Sequence, residues 1–359
     1  MAPNKTLKGH KLVILTPWGP PVDFLDRLQK EYPDLKAEYH KRDWIDIALP
    51  SVADEGYWKD VTILLTFQTL PTPEQAPNLE YVQLMSAGAN HILDNPLFKD
   101  TDVNFCTANG VHGPQISEWV ISTYLSFSHH LPEYWDKQKE GRWQRGNMNV
   151  EDSYGKTVGI LGYGSIGRQV ARVSVAMGMK VHAYTLHPRP TPESRRDESW
   201  TPEGLGDPEG VLPSKWFSGE TTEKLHEFLA SGLDLLLIST PLTDNTRHLI
   251  SAPEFKVLAA QKRTALVSNI GRGPIIHTDD LISALNEGLI GGAALDVTDP
   301  EPLPANHPLW NTKNVIITPH ISGASVAYNQ RVLAILEYNL KRFSEGKELT
   351  NRVNRKEGY

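Results

Sequence analysis

KTVGILGYGSIGRQVARVSVAMGM, residues 156–179, reads as a short apolar strand (Thr157 to Leu161), a glycine turn, and a helix of about 3.6-residue period. The turn, Gly162-Tyr163-Gly164-Ser165-Ile166-Gly167, is a GxGxxG. Its first glycine permits a tight reversal, its second lets backbone approach a pyrophosphate, and its third lets helix pack closely on strand. The free N–H groups and positive dipole end of the following helix then point at the phosphates. A glycine-rich turn on its own can be no more than a turn. Strand, turn and helix in the required order point to a bound dinucleotide.

A chain of 359 residues is long enough for about two domains. Hydrophobic residues at 39% and charged residues at 22% are ordinary for a globular protein. A net charge of −7 without a basic run speaks against a nucleic-acid surface. A lone cysteine, Cys106, excludes an intrachain disulfide, fits a reducing compartment, and in its apolar run reads as inert core. The first residues carry no hydrophobic segment, and no apolar run reaches the ~18 residues of a membrane span. The expectation is a cytoplasmic protein with no metal.

Apolar strands are expected at His10–Leu15, Val61–Phe67, Leu79–Met85 and Val103–Ala108, with a helix at Val22–Tyr32. This alternation indicates a small parallel α/β domain. Gln115 to Trp135 reads as one long helix, apolar on most faces, which must be buried between domains and in a subunit interface. Beyond the glycine turn come the strand Lys180–Thr185 and then Leu186–Ser218, rich in Pro, Gly, Arg and Asp and too long for an ordinary connection. Apolar strands resume at Leu233–Thr240, Thr264–Ile270, Gly291–Val297 and Asn314–Pro319, enough for two halves of three strands each. A final helix is expected at Val326–Glu345.

In open parallel sheets ligands bind beyond the carboxyl ends of the strands. Arg272 in NIGRGPI, Glu301 in ALDVTDPEPLP and His320 after IITP each follow such an end. Singly they read as a loop cation, a solvated carboxylate and a strand-end histidine. Together, beside a dinucleotide turn, they read as a catalytic set.

SAGANHI, GYGSIG, NIGRGPIIHTDDLISAL, GGAALDVTDPEPLP and TPHISG, in this order and spacing, resemble the D-isomer-specific 2-hydroxyacid dehydrogenase family over nearly the whole chain. The resemblance implies an α/β protein of two Rossmann-like domains with parallel sheets. A cofactor domain, 116–324, would be inserted into a discontinuous flavodoxin-like substrate domain, 1–115 and 325–359, with the active site in the cleft and a homodimer built on the cofactor domain. It implies His320 as the acid–base residue, Glu301 as the carboxylate orienting it, and Arg272 as the clamp on the substrate carboxylate. Asp299 is the rival acid, but the family places its glutamate five residues beyond Asp296. Asp296 would hold the nicotinamide carboxamide, and Gly162, Gly164, Ser165, Ile166, Gly167, Thr240, Pro241, Ile270, Arg272, His320 and Gly323 would line the cofactor. Backbone N–H groups of the Ser86-Ala87-Gly88 turn would bind the substrate carboxylate, with Phe67 and Gln68 lining the substrate cleft.

An NAD-binding unit normally ends its second strand in an acidic residue that binds the ribose 2′-hydroxyl. Here that position is Thr185, and Arg189 follows, with Arg195 and Arg196 beyond. This departure points to NADP, with NAD possible. The long segment 186–218 would fold over the adenosine end of the cofactor or join the dimer contact. The reaction implied is NADPH-dependent reduction of a small-molecule 2-keto acid: glyoxylate, hydroxypyruvate or a sugar-derived acid whose hydroxyl Gln68 would bind. A formate-type dehydrogenase would carry glutamine where Glu301 stands. The rival from another class is a dinucleotide-sensing scaffold like the family's co-repressors.

Overall fold

The computed structural model describes residues 3–41, 56–146, 148–261, 264–356 and 358. The chain divides into two compact units: 1–111, 199–202 and 325–359 form unit 1, and 112–198 with 203–324 form unit 2. Neither is contiguous in sequence.

Unit 1 contains β1 (Lys11–Thr16), α1 (Phe24–Glu31), β2 (Lys36–Lys41), β3 (Ile63–Thr66), β4 (Tyr81–Leu84), the one-turn α2 (Pro96–Lys99) and β5 (Asn104–Cys106). Its strands form one parallel sheet in the order β2-β1-β3-β4-β5, the flavodoxin-like order. Side chains alternate between two cores: Leu12 and Ile14 enter one face, Val13 and Leu15 the other. Strand β2 has no counterpart in the sequence reading. KAEYHK carries no apolar run because it lies at the sheet edge with its side chains half exposed.

In unit 2, α3 (Gly113–Ser128) and α4 (Leu131–Lys139) precede β6 (Thr157–Leu161), α5 (Ser165–Ala176), β7 (Lys180–Thr185), the one-turn α6 (Pro192–Arg195) and β8 (Lys215–Ser218). There follow α7 (Thr222–Leu229), β9 (Leu235–Ile238), α8 (Ala252–Ala259), β10 (Leu266–Asn269), α9 (Thr278–Asn286), β11 (Gly292–Leu295) and β12 (Val315–Ile317). The parallel order is β12-β11-β10-β9-β6-β7-β8, a doubly wound sheet that reverses direction between β6 and β9. One strand beyond the expected three plus three, β8, closes the edge beside β7. The last helix of the chain, α10 (Tyr328–Ser344), belongs to unit 1 and puts Val332, Leu333, Leu336 and Leu340 into its core.

Two sequence expectations are corrected. The single helix 115–135 is two: His130 adopts φ +55° and Pro132 follows. Proline has no N–H to continue a helix and its ring clashes with the preceding turn. Helix α3 packs Ile116, Val120 and Tyr124 into the unit 2 core, whereas α4 buries no residue. The segment 186–218 is also not irregular throughout, since Lys215–Ser218 extends the sheet as β8 beside β7.

That segment makes an excursion. Residues 199–202 belong to unit 1, where Trp200 packs against the core. Gly110, at φ +97°, meets the Trp200 carbonyl so closely that a Cβ there would lie 1.7 Å from its oxygen. Only glycine fits. Cys106 lies in the same core, where burial pushes its thiol up to about 12, so it is inert.

His182, on β7, is 5% exposed, with Nδ1 2.8 Å from Ser231 Oγ. Burial, aided by Lys215 and Lys180, holds the ring down at about 4. In the unfolded chain a histidine titrates near 6.5, so as pH falls the unfolded form takes up its proton first. Stability that is fully present above about pH 6.5 is therefore lost as pH falls towards about 4, by on the order of 3 kcal/mol. Urea unfolding of wild type and His182→Asn across this window checks it. The wild type should lose more stability than the variant, and parallel losses would exclude His182 as the source.

Candidate functional site

The glycine turn lies where the sheet order reverses, at the carboxyl ends of β6 and β9. Its three glycines are required for three different reasons. A Cβ on Gly162, at φ +101°, would sit 2.9 Å from the Ser239 carbonyl carbon and Thr240 nitrogen. One on Gly167 would sit 2.5 Å from the Gly162 carbonyl and 2.8 Å from Ile160 Cγ2, so α5 lies tightly on β6. One on Gly164 would meet nothing within 4 Å. The turn is thus closed on the protein side and open at its middle glycine, where a phosphate would approach. Ser239 Oγ donates to the Gly162 carbonyl at 2.7 Å and fastens β9 to the turn. Beside it, the buried Thr240 Oγ has no hydrogen-bond partner among the described residues. Ser165 and Ile166 open α5. Pro241 accepts from Thr246 Oγ at 2.7 Å, Ile270 is buried in the core, and Gly323 accepts from Gln115 Nε2 at 3.0 Å. A dinucleotide fits this frame: a bare glycine for the pyrophosphate, a helix N-terminus behind it, and an unsatisfied hydroxyl alongside.

Arg272 leaves β10 in an extended conformation, with Nη1 donating to the Gly271 carbonyl at 2.7 Å. Asn269, at the end of β10, holds the loop from both sides: Nδ2 donates to the Arg272 carbonyl at 3.0 Å and Oδ1 accepts from Gly271 N–H at 3.1 Å. Burial pulls the guanidinium below its ordinary range, and the charge of Glu301 opposes the shift.

His320 follows β12 at φ +55°, a left-handed conformation uncommon outside glycine. Its Nδ1 lies 2.7 Å from Glu301 Oε1 with both side chains partly open to solvent. Asp299, the rival, is instead 3.9 Å from His248 Nε2. The backbone around His320 is held by Asp296, which is 2% exposed. Asp296 Oδ1 accepts from Thr318 Oγ at 2.6 Å and Ile321 N–H at 2.8 Å; Oδ2 accepts from Ser322 N–H at 2.9 Å and Oγ at 2.5 Å. Its carbonyl also accepts from His320 N–H at 2.8 Å. Asn269, Thr318 and Ser322 were not singled out in the sequence. The available signal was a hydrogen-bonding side chain at the end of each apolar run.

At the cofactor's expected ribose end, Thr185 closes β7 with Oγ donating to the His187 carbonyl at 2.8 Å. Arg189 Nη1 donates to the Ser194 carbonyl. Arg195 lies over the Trp216 ring, and Arg196 pairs with Glu209 at 2.9 Å. The last two therefore lend the ribose position less than the sequence suggested.

In unit 1, Phe67 and Gln68 follow β3, and the Phe67 ring stacks on His91 at 5.2 Å. The Ser86-Ala87-Gly88 turn follows β4, with Ser86 Oγ donating to the Gly88 carbonyl at 2.8 Å. Among the described residues the N–H groups of Ala87 and Gly88 donate to no protein acceptor. They remain available to an anion.

A family model for the NAD binding domain of D-isomer specific 2-hydroxyacid dehydrogenases matches residues 121–205 and 213–322. The chain belongs to the D-isomer specific 2-hydroxyacid dehydrogenase family. Its members are NAD(P)-dependent dehydrogenases and reductases. The chain is 35% identical to a glyoxylate reductase of Aeropyrum pernix over 78% of both chains. It is 32% identical to the human glyoxylate reductase/hydroxypyruvate reductase over 69% of both. A family dehydrogenase from Xanthobacter autotrophicus, solved in complex with NADPH and MES, superposes with a TM-score of 0.74 at 26% identity, covering 98% of this chain and 99% of the other. These similarities support reduction of a 2-keto acid with a nicotinamide dinucleotide. Among the described residues no helix is long and apolar enough to cross a membrane.

Proposed function

We propose that this family member reduces a small 2-keto acid to the D-2-hydroxy acid, with NADPH as donor. The observation that carries the reading is the His320–Glu301 pair at 2.7 Å, on the same sheet as an open dinucleotide turn. The nicotinamide, when bound, supplies the hydride. His320 holds a proton at Nε2 for the developing alkoxide oxygen, because Nδ1 is occupied by Glu301. Glu301 fixes the ring and balances its positive charge. Arg272 binds the substrate carboxylate and polarises the keto oxygen, a task suited to a fork of fixed N–H donors. Asp296 would hold the nicotinamide carboxamide, and its four accepted bonds hold the loop that carries His320. Within unit 1, the N–H groups of Ala87 and Gly88 are the proposed donors to a carboxylate, and Phe67 with Gln68 the proposed side-chain limit. Glyoxylate and hydroxypyruvate are the first candidates, and Gln68 suits a hydroxylated acid.

Preference for NADP rests on Thr185, which presents no carboxylate to repel a 2′-phosphate, and on the nearby Arg189. The Xanthobacter relative solved with NADPH supports the same choice. A homodimer is proposed on α4 and the residues after it, where Leu131, Trp135, Trp143, Met148, Val150 and Tyr154 stand exposed.

The test is initial-rate oxidation of NADPH and NADH with glyoxylate, hydroxypyruvate, pyruvate, an aromatic 2-keto acid and 2-ketogluconate. A clear NADPH-dependent rate is expected, with Thr185→Asp shifting preference towards NADH. An unchanged cofactor ratio in that variant would mean that the 2′-phosphate is read elsewhere. Cofactor binding without turnover on any acid would favour the sensing scaffold.

A further inference from the structure

The segment 186–218 is anchored to the glycine turn through Tyr163, the one residue between Gly162 and Gly164. Two glycines leave that backbone with little intrinsic restraint. Tyr163 is 5% exposed, and its hydroxyl donates to Asp207 Oδ2 at 2.8 Å. Its ring meets Trp216 edge-on at 5.1 Å, and the Arg168 guanidinium lies 4.9 Å from its centroid. Asp207, 4% exposed, also accepts from the N–H groups of Val211 at 3.0 Å and Leu212 at 3.1 Å. Arg168 follows the third glycine and is equally buried. It donates to the carbonyls of Asp207 and of Arg195, the latter at 2.7 Å, and its Nε faces Asp197 Oδ2 at 3.3 Å. Gln169 Oε1 accepts from Gly206 N–H at 2.7 Å.

Burying an arginine and an aspartate around one tyrosine is costly, and an apolar cluster of the same volume would serve stability as well or better. What polar groups add is a fixed geometry. The two stretches matched by the family model leave 206–212 unmatched, and Asp207 lies in that gap. Building on the dinucleotide reading proposed above, we infer that the 186–218 segment is a positioning element for the phosphate turn, with Asp207 and Arg168 holding Gly162–Gly164 through the Tyr163 hydroxyl and ring. The turn is then pre-ordered, and the cofactor pays less to order it on binding.

Dissociation constants for NADPH and NADH in the full chain test this directly. Tyr163→Phe removes one hydroxyl and keeps the ring, and should raise Kd about tenfold, as expected for a lost bond to a carboxylate. Asp207→Asn keeps an acceptor oxygen and should raise it less, in the same direction. Ile250→Val, a comparably mild change in the core on the other sheet face, should leave Kd within about twofold even where Tm falls. The inference is overturned if both turn variants bind like the wild type, or if Ile250→Val weakens binding as much as they do. Wild type that binds neither nucleotide would overturn the dinucleotide reading itself, and this inference with it.

Discussion

Replacing His320 by alanine is expected to lower kcat by about 10²–10⁴-fold while the cofactor Kd stays near that of the wild type. The ring is the one acid–base side chain in the 318–322 loop, and Glu301 at 2.7 Å aims it. The loop's shape does not depend on the ring. It is set by Asp296, whose four accepted bonds come from Thr318, Ile321 and Ser322. The backbone at φ +55° complicates alanine, which tolerates the left-handed region poorly. His320→Asn is therefore the companion variant, since asparagine adopts that conformation readily and has no comparable proton to give. Both should fail in turnover and retain the cofactor. Near-wild-type kcat in either would remove His320 from proton transfer.

Gly273→Ala should be the most damaging single methyl in unit 2. A Cβ there would lie 1.8 Å from the Thr298 carbonyl oxygen and 2.7 Å from Asp299 nitrogen, backbone against backbone. No side chain can swing aside to relieve it. The turn after Arg272 and the segment leading to Glu301 must part, so stability and the site should fail together. A loss of about 4 kcal/mol or more is expected, lowering Tm by roughly 10 °C. Thermal unfolding with activity on the same sample checks it; a wild-type Tm would show that the two segments separate freely.

The parts of this fold that were legible were those buried on both faces. VTILLTF, LDLLLIST and TALVSNI carry runs of consecutive apolar residues, so they announce parallel strands without periodicity. KAEYHK at the edge of the unit 1 sheet and KWFS at an edge of the unit 2 sheet bury only part of their surface, and their composition says little. Pro132 was the overlooked signal that separates α3 from α4. In the site, residue type and strand-end position brought out Arg272, Glu301 and His320. Their support was hidden because much of it is main chain: the Ile321 and Ser322 N–H groups on Asp296 leave no mark on the sequence. The Tyr163–Asp207 bond joins the glycine turn to a residue 44 positions further along the chain, beyond the reach of local pattern.

The excursion of residues 199–202 bears on how freely such a protein can exchange parts with its relatives. A recombination with crossovers at 111 and 324 would look natural from the chain order, and would transplant unit 1 without Trp200. The recipient would inherit Gly110, shaped around a carbonyl that is no longer there, and a core missing one indole. Modularity here stops short of the insertion: a working chimera has to carry the tryptophan loop along with the domain it fills.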